Sequence, residues 1–557
     1  MADAPVRVPG VEARAGKFPG PSLIPALYAI QERVGWLPRE ELVALSRDVR
    51  RPLYEIEGLV SFYPHFRASP PPRVELRVCH DLSCWLRGAE PRIAALRSRY
   101  GADTEVELVE GSCLGRCDIA PACTVNEAPV PIDDADGAVA AVGPGGNGGA
   151  GSPPMRGGIP GGRPPGEAWP NDPYAAGDRY GVLRAVLAGQ LATADIITAL
   201  KDAGLRGMGG AGFPAGRKWD LVAAQEATPK YVICNADESE PGTFKDREIL
   251  ANQPYLVLEG LLLGMLAIGA EEGWVFIRHE YGPEEQVIRR EIEWLRETGL
   301  VGPDADGAGR RLSVEVFTSP GGYILGEESA LIECMEGHRG EPRNKPPFPG
   351  TYGLHGQPTL MNSVETFAHI PVIATRGAAW WHAQGHGDHA GLKFFAVSGH
   401  VERPGVYCVP MGTTVRELLD LAGGVSGGRP LGAIQPGGAS SNFIGPDQLD
   451  VELDFGTLQA AGSMLGSGAL VVMAEGTDLL AAAVNVLRFF RDESCGKCVP
   501  CRVGSSKAHQ ILADRGPDEL VPELAEVMRR TSICGLGQVA LGPVMSVPRL
   551  TGGNHGG

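Results

Sequence analysis

Residues 492–502 read DESCGKCVPCR, with Cys495, Cys498 and Cys501 separated by two residues each. No other stretch restricts the fold as tightly, because three thiols this close need a common partner. Disulfides are a poor use for them. Twelve cysteines in 557 residues are too sparse for a disulfide scaffold. The N-terminal MADAPVRVPG has no apolar signal segment, so a reducing cytoplasm is the expected compartment. A C-x2-C-x2-C run with a distant fourth thiol has iron–sulfur spacing; structural zinc, which more often uses two separated C-x2-C pairs, is the alternative. Cys534, in TSICGLGQ, is the candidate fourth ligand, in a turn whose glycines let backbone approach a cluster closely. A [4Fe–4S] cluster is the expected occupant.

A second set lies far upstream. CHDLSC supplies Cys79 and Cys84, and 28 residues later CLGRC supplies Cys113 and Cys117. Two loops offering two thiolates each suit a [2Fe–2S] rhomb, one pair per iron, with zinc again the alternative. Cys123, Cys234, Cys334 and Cys408 stand singly and read as ordinary buried thiols.

Around these sets the hydrophobic period changes several times, so the chain is expected to be a multidomain α/β protein. Residues 22–66 read as helices, with Ile24, Leu27, Ile30 and Val34 on one stripe. RVELRVCH and TEVELVEG alternate as half-buried strands leading to Cys79 and Cys113, with helical PRIAALRSRY between them. Residues 1–133 are therefore helices plus a small α/β cysteine domain. Residues 134–178 turn to Gly and Pro and are expected to form a flexible linker. Residues 179–391 mix helices with strands such as KYVICNAD and GWVFIRHE. Residues 392–473 read strand, turn, strand, helix, a β-grasp-like unit. Residues 474–557 form a helical bundle, in which Leu480, Val484, Leu487 and Phe490 make a stripe running into Cys495.

The glycine-dense loop GMGGAGF formally matches G-x-G-x-x-G, but a helix precedes it where a Rossmann fingerprint needs a strand. The 179–391 unit is therefore expected to be non-Rossmann. Gly207, Gly209 and Gly210, followed by Arg217 and Lys218, can still hold a phosphate with amides and cations. NADESEPGTFKDRE groups Asn235, Asp237, Glu238 and Glu240; GGYILGEESALIE adds Glu327 and Glu328; RNKPPFPG adds Lys345 and Phe348. Such a set suits a flavin and nucleotide site, although each piece alone also reads as a solvated loop. His382, His386 and His389 lie in a Gly/Asp-rich stretch and read as an exposed loop rather than a metal site. The net charge of −17 gives no footprint for nucleic acid. The longest apolar run, LVLEGLLLGMLAIGA, is too short for a bilayer span, so no membrane insertion is expected.

Six collinear stretches carry a resemblance: GLRGMGGAGFPAGRKW, NADESEPGTFKDRE, GGYILGEESALIE, KPPFP, TLMNSVET and ESCGKCVPCR…SICGLGQ. Residues 179–548 resemble the flavin-carrying, NADH-oxidising subunit of respiratory complex I. Residues 20–130 resemble its thioredoxin-like [2Fe–2S] companion. Their fusion is similar to the β subunit of NAD-dependent molybdenum or tungsten formate dehydrogenases. NAD-reducing hydrogenases carry a comparable diaphorase subunit. The resemblance implies FMN, both clusters, NAD(H) as substrate and a large catalytic partner subunit, most simply one that oxidises formate. The alternatives are a hydrogenase or membrane complex I.

It also implies roles. Gly207, Gly209, Gly210 and Lys218 would hold the FMN phosphate, with Asn235, Asp237 and Glu238 near the flavin. Tyr323, Gly326, Glu327, Asn362 and Ser363 would line the rest of that pocket. Glu240 and Glu328, the candidate catalytic residues, would meet NAD(H), with Phe213 and Phe348 stacking on its adenine and Lys345 nearby. Met208, Leu221 and Leu325 depart from the complex I pattern. The linker would let the N-terminal cluster domain dock on a partner separately from the flavin unit.

Overall fold

The structure, a computed structural model, describes residues 22–143, 169–174, 177–307, 309–516 and 518–552. Three helices open it, Ile24–Val34, Arg39–Asp48 and Leu53–Val60, the second and third each entered from a proline. The alternating segments then form a four-stranded sheet from β1 (Val74–Cys79), β2 (Val106–Gly111), β3 (Ala122–Val125) and β4 (Ala128–Pro131), in order β2-β1-β3-β4. β1 and β2 are parallel, and β3 runs antiparallel to β1. The parallel pair requires a crossover, supplied by the helix Ala89–Tyr100.

The expected linker is shorter than its composition suggested. Residues Ala135–Ala141 form a helix that buries Ala135 and Val139. At the far end Trp169 is buried and stacks on Phe394, ring centroids 4.3 Å apart. The apolar residues at either end find cores; residues 144–168 lie outside the described residues.

The central unit holds β5 (Tyr231–Ala236), β6 (Glu272–Arg278), β7 (Ser313–Ser319) and β8 (Thr359–Ser363), all parallel, in order β7-β6-β5-β8. By sequence rank this is 3-2-1-4, the strand order of a doubly wound nucleotide fold. The glycine loop nevertheless precedes β5, lying between helices Thr193–Asp202 and Ala215–Ala223. It is therefore not the turn after the first strand, as its sequence context implied. The helix Pro254–Ile268 is buried on nearly every side, which explains its all-round apolar sequence. No single helix among the described residues is long and apolar enough to cross a membrane.

The third sheet comprises β9 (Leu392–Gly399), β10 (Gly405–Pro410), β11 (Leu431–Gln435) and β12 (Ala469–Ala474), in order β10-β9-β12-β11. β9 and β12 are its parallel central pair. Helices Leu479–Asp492, Val499–Arg515, Leu520–Thr531, Gly535–Val539 and Gly542–Leu550 complete the chain.

The N-terminal cysteine domain does not stand apart. Arg116 meets Glu284 with two 3.0 Å hydrogen bonds, both side chains buried. Arg247 meets Asp118 with two of 2.9 Å and donates to Gly115 O at 2.7 Å. A Cβ on Gly115, at φ +66°, would lie 2.5 Å from the Tyr281 hydroxyl. This close approach excludes any side chain. The expectation that the domain docks elsewhere is thus corrected: it packs on the central unit through buried ion pairs and close backbone contact.

Candidate functional site

Both cysteine sets converge as their spacing required. Cys79 closes β1, Cys84 lies in the short helix Leu82–Leu86, and Cys113 and Cys117 flank the turn beyond β2; all four are buried. Cys113 and Cys117 Sγ are 3.7 Å apart. The hydrogen bond with Cys117 is the main cause holding the Cys113 thiol well below its usual range, while the bond to Cys113 raises Cys79. A set of thiols that compete for protons in this way suits metal ions that replace those protons. The Gly115 amide points at Cys113 Sγ at 3.4 Å, and Arg278 donates to Cys113 O at 2.7 Å.

Cys495, Cys498, Cys501 and Cys534 line one small pocket together with Ser494, Ile324, Pro342 and Leu536. Cys498 precedes the helix Val499–Arg515 and Cys534 the helix Gly535–Val539, so two sulfurs sit at positive helix ends. Burial pushes the Cys501 thiol up to about 11 and the Cys534 thiol to about 12. These protons stay on unless a metal takes their place. A side chain at Gly537 would come within 2.8 Å of Cys501 Cβ. Four thiols around one pocket fit a four-iron cluster, with Cys534 beside the three thiols of the C-x2-C-x2-C run.

The glycine loop and the nearby carboxylates, brought together by tertiary contacts, make up the candidate flavin groove. The loop is fixed from both sides: Gly207 N donates to Phe213 O at 2.8 Å, and Met208 N to Thr366 Oγ1 at 2.9 Å. Gly209 packs so tightly on Ser363 that a Cβ would lie 3.1 Å from its side chain. Lys218 Nζ donates to Met361 O at 3.0 Å, and burial lowers its pKa. A desolvated ammonium with a carbonyl partner is suited to an anion such as a phosphate. Asn362 pairs with Trp219 Nε1 at 2.9 Å once its amide is oriented to satisfy both neighbours. Met208 is buried, so the residue departing from the family pattern serves the core.

Asn235, at the end of β5, donates to Gly326 O at 2.9 Å and accepts from Asp237 N at 3.1 Å. Asp237 accepts from Ser319 Oγ at 2.9 Å, and burial raises its carboxyl to about 6. Glu240 accepts from Ser440 N at 2.7 Å, so its carboxylate lies against the β-grasp unit. Burial raises its pKa as well. Tyr323 donates its amide to Glu493 Oε2 at 2.7 Å and has its hydroxyl 3.4 Å from Ser440 Oγ. Glu327 caps the helix Glu328–Met335 through Ser329 N and Ala330 N, at 3.0 and 2.9 Å. Lys345 Nζ bridges Glu327 at 2.5 Å and Glu328 at 2.8 Å. Phe213, Leu221 and Phe348 are exposed by 41%, 51% and 58%. Such exposure of large apolar side chains is what a flat stacking partner would cover. Leu325 is buried beside Gly340.

One expected site residue is placed differently. Glu238 turns away from the groove and accepts from Asp246 N and Arg247 N at 2.9 and 3.2 Å, and from the Tyr281 hydroxyl at 3.0 Å. Burial pushes its carboxyl up to about 8. Its work is to cap the helix Lys245–Asn252. The three loop histidines do not converge: His382 reaches Asp202 O at 2.9 Å, and His389 reaches Glu452 at 2.9 Å.

Other residues joined the site. Trp219 and Thr366 end two of the stretches that carry the resemblance, GLRGMGGAGFPAGRKW and TLMNSVET, whereas Ser440 is reached only through tertiary contact. Glu493 carried a signal that was available: it directly precedes Ser494 and the cysteine run. Its carboxylate accepts from both Tyr323 N and Ser112 Oγ.

Comparison with known proteins assigns four regions. Residues 16–138 match the model for a thioredoxin-like [2Fe–2S] ferredoxin, and residues 200–372 that of the Nuo51 FMN-binding domain. Residues 394–438 match the SLBB domain, and residues 481–550 the NADH-ubiquinone oxidoreductase-F iron–sulfur binding region. The chain is 42% identical over 375 residues to the F 2 subunit of NADH-quinone oxidoreductase from Rhizobium meliloti (strain 1021), covering 66% of this chain and 89% of that one. It is 40% identical over 383 residues to the HndC subunit of NADP-reducing hydrogenase from Solidesulfovibrio fructosivorans, covering 67% and 78%. A crystal structure of NAD⁺-reducing [NiFe]-hydrogenase in the H2-reduced state contains a chain that superposes with a TM-score of 0.84 at 32% identity. The match covers 95% of this chain and 91% of that one.

Proposed function

Because the chain belongs to the family of FMN-binding, iron–sulfur F subunits of NADH-quinone oxidoreductases, we propose that it is the diaphorase subunit of a complex that reduces NAD⁺ with electrons from formate. The observation that carries the diaphorase reading is the groove itself. A glycine loop with Lys218, the Asn235–Asp237 pair, Glu240 and two exposed phenylalanines share one chain with two four-thiol sites.

When bound, FMN would take the two electrons of one hydride and the clusters would carry them onward one at a time. The chain's own residues bind and position. Lys218 and the amides of 207–210 hold the phosphate end of FMN. Asn235, Tyr323 and Ser363 would flank the ring. Glu240 and Glu328 orient the nicotinamide nucleotide, with Phe213 and Phe348 covering its adenine and Lys345 holding the two glutamates of 327–328 in place. With both groups bound, these residues would hold the nucleotide against the flavin and keep water from the transfer path. The cysteine sets hold one cluster each, and no side-chain nucleophile is required.

Formate as donor rests on the fusion of both units in one chain, together with its resemblance to formate dehydrogenase β subunits. Hydrogen is the second reading, favoured by the full-length likeness to a chain of an NAD⁺-reducing hydrogenase. The quinone oxidoreductase relative from Rhizobium meliloti matches only two thirds of the chain. We assign the protein to the cytoplasm, with a molybdenum- or tungsten-containing catalytic subunit as partner.

The purified chain should contain one FMN and about six irons, and should pass electrons from NADH to ferricyanide without formate activity. Affinity capture of the native complex should recover molybdenum or tungsten and formate-dependent NAD⁺ reduction. Recovery of nickel with hydrogen-dependent activity would transfer the assignment to a hydrogenase. Absence of flavin from the purified chain would overturn the diaphorase reading itself.

A further inference from the structure

Away from both cysteine sets, three separate parts of the chain bring two histidines and a glutamate to one point. His65 lies just past the helix Leu53–Val60, Glu127 at the tip of the β3–β4 hairpin, and His279 immediately after β6. One donor atom from each lies within 4.8 Å of the other two. His65 Nδ1 is 3.5 Å from Glu127 Oε1, and the imidazole centroids are 4.5 Å apart with planes inclined at 51°.

Two further observations set the cluster apart from an accident of packing. His279 Nδ1 is buried and makes no hydrogen bond, an arrangement that folded proteins rarely leave uncompensated. The nearest carboxylate, Glu280, lies 3.4 Å from it but is held by Arg278 at 2.8 Å. Then there is the hairpin turn. Asn126 and Glu127 both have positive φ, +46° and +68°, and connect two antiparallel strands. The second position of such a turn favours glycine. Here it carries the carboxylate that reaches His65. The ring of His279 is in turn held against Gly321, where a Cβ would lie 2.8 Å from Cε1, and Tyr28 packs on His65 with centroids 4.8 Å apart.

We propose that His65, Glu127 and His279 form a site for a divalent cation of the zinc class. Two imidazole nitrogens and one carboxylate oxygen are a zinc donor set, and the nitrogen majority disfavours calcium and magnesium. The Glu127 side chain is 66% exposed, so metal can enter from that side and water can fill the fourth position. The bound ion fastens the N-terminal helices, the [2Fe–2S] unit and the flavin-binding unit at one point. The other mixed cluster, Glu333, Glu336 and His338, differs because the Arg343 guanidinium already takes both carboxylates, at 2.6 and 2.8 Å.

The test uses the full chain with its iron content verified, so that the cysteine sites are filled. Zinc is titrated against a chromophoric competitor for the wild type, Glu127→Gln and His279→Ala. The wild type should take one zinc per chain at micromolar free metal, and each variant should bind at least about tenfold more weakly. X-ray absorption of the zinc-loaded wild type should show two imidazoles and no sulfur. Glu127→Gln alters an exposed side chain, so it reports even where His279→Ala fails to fold. Failure of the wild type to take zinc at micromolar levels overturns the proposal. So does wild-type affinity in Glu127→Gln, or sulfur in the zinc shell.

Discussion

Glu284→Gln tests whether the [2Fe–2S] unit is locked to the flavin unit. Glu284 lies on the helix Gly282–Glu297, and both its oxygens accept from Arg116, each at 3.0 Å. The two side chains are 1% and 6% exposed, and Arg116 Nε has no partner. Glutamine keeps the shape and one acceptor but leaves a buried guanidinium without its counter-charge. Breaking a buried pair from one side costs about 3–5 kcal/mol; the retained acceptor favours the lower figure. At about 1.4 kcal/mol per decade, ~3 kcal/mol lowers the docking equilibrium roughly 100-fold. The control is Asp133→Asn, which breaks the Arg92–Asp133 pair within the same unit, where the side chains are 40% and 66% exposed. Its cost should be about 0–1 kcal/mol. Hydrogen exchange over residues 112–120 and 282–292 should quicken strongly in Glu284→Gln and little in the control. Reduction of the [2Fe–2S] cluster by NADH should slow, while NADH–ferricyanide turnover stays near wild type. Equal protection in the two variants would show that the pair does not hold the interface.

Phe348→Ala should raise the KM for NADH by about 1–3 kcal/mol of lost stacking, roughly 5- to 150-fold, with little change in kcat for ferricyanide; steady-state kinetics checks it. Cys534→Ser should remove or distort the [4Fe–4S] signal in electron paramagnetic resonance and leave the [2Fe–2S] signal intact. Glu259 is fully buried, with Oε1 accepting from Leu183 N at 3.0 Å and Oε2 without a partner, and burial raises its carboxyl to about 7. Because the folded value lies above the usual ~4.3, its contribution to stability is present at acid pH and is lost as pH rises through 7. Glu259→Gln should therefore gain up to about 3 kcal/mol over wild type at pH 8 relative to pH 5. A melting-temperature gain equal at both pH values would refute the assignment.

The parts of this protein that were legible in sequence are those where chemistry dictates spacing. Three thiols at two-residue intervals, and two thiol pairs at strand ends, needed no tertiary information to be grouped. The alternation in RVELRVCH likewise fixed both a strand and the face it buries. Composition misled at 134–178, where glycine and proline dominate the middle but Val139 and Trp169 at the ends carry enough apolar surface to fold back. Glu238 was misplaced for a related reason. An acidic triplet looks uniform in sequence, yet Asp237 and Glu240 stay at the groove while Glu238 faces the orphan amides of the next helix. Arg116, Arg247 and Glu284 could not be paired from sequence at all, since each partner lies more than a hundred residues away.

Their pairing bears on how the three cofactor sites are held together. Electron transfer between carriers needs fixed separations, and the residues joining the sites are multiply bonded. Glu493 is within two residues of Cys495. One of its oxygens takes the Tyr323 amide at the flavin groove, and the other takes the hydroxyl of Ser112, the neighbour of Cys113. Arg278 does the same from the opposite side, donating to Cys113 O at 2.7 Å and to Glu238 O at 2.6 Å. Each cysteine set is thus tied to the flavin groove by a side chain that holds two separate segments at once. The Arg278 ties are buried, so water cannot compete for them and a break there leaves an unpaired charge. The geometry of the relay therefore rests on a few buried carboxylates and guanidiniums as much as on the cysteines.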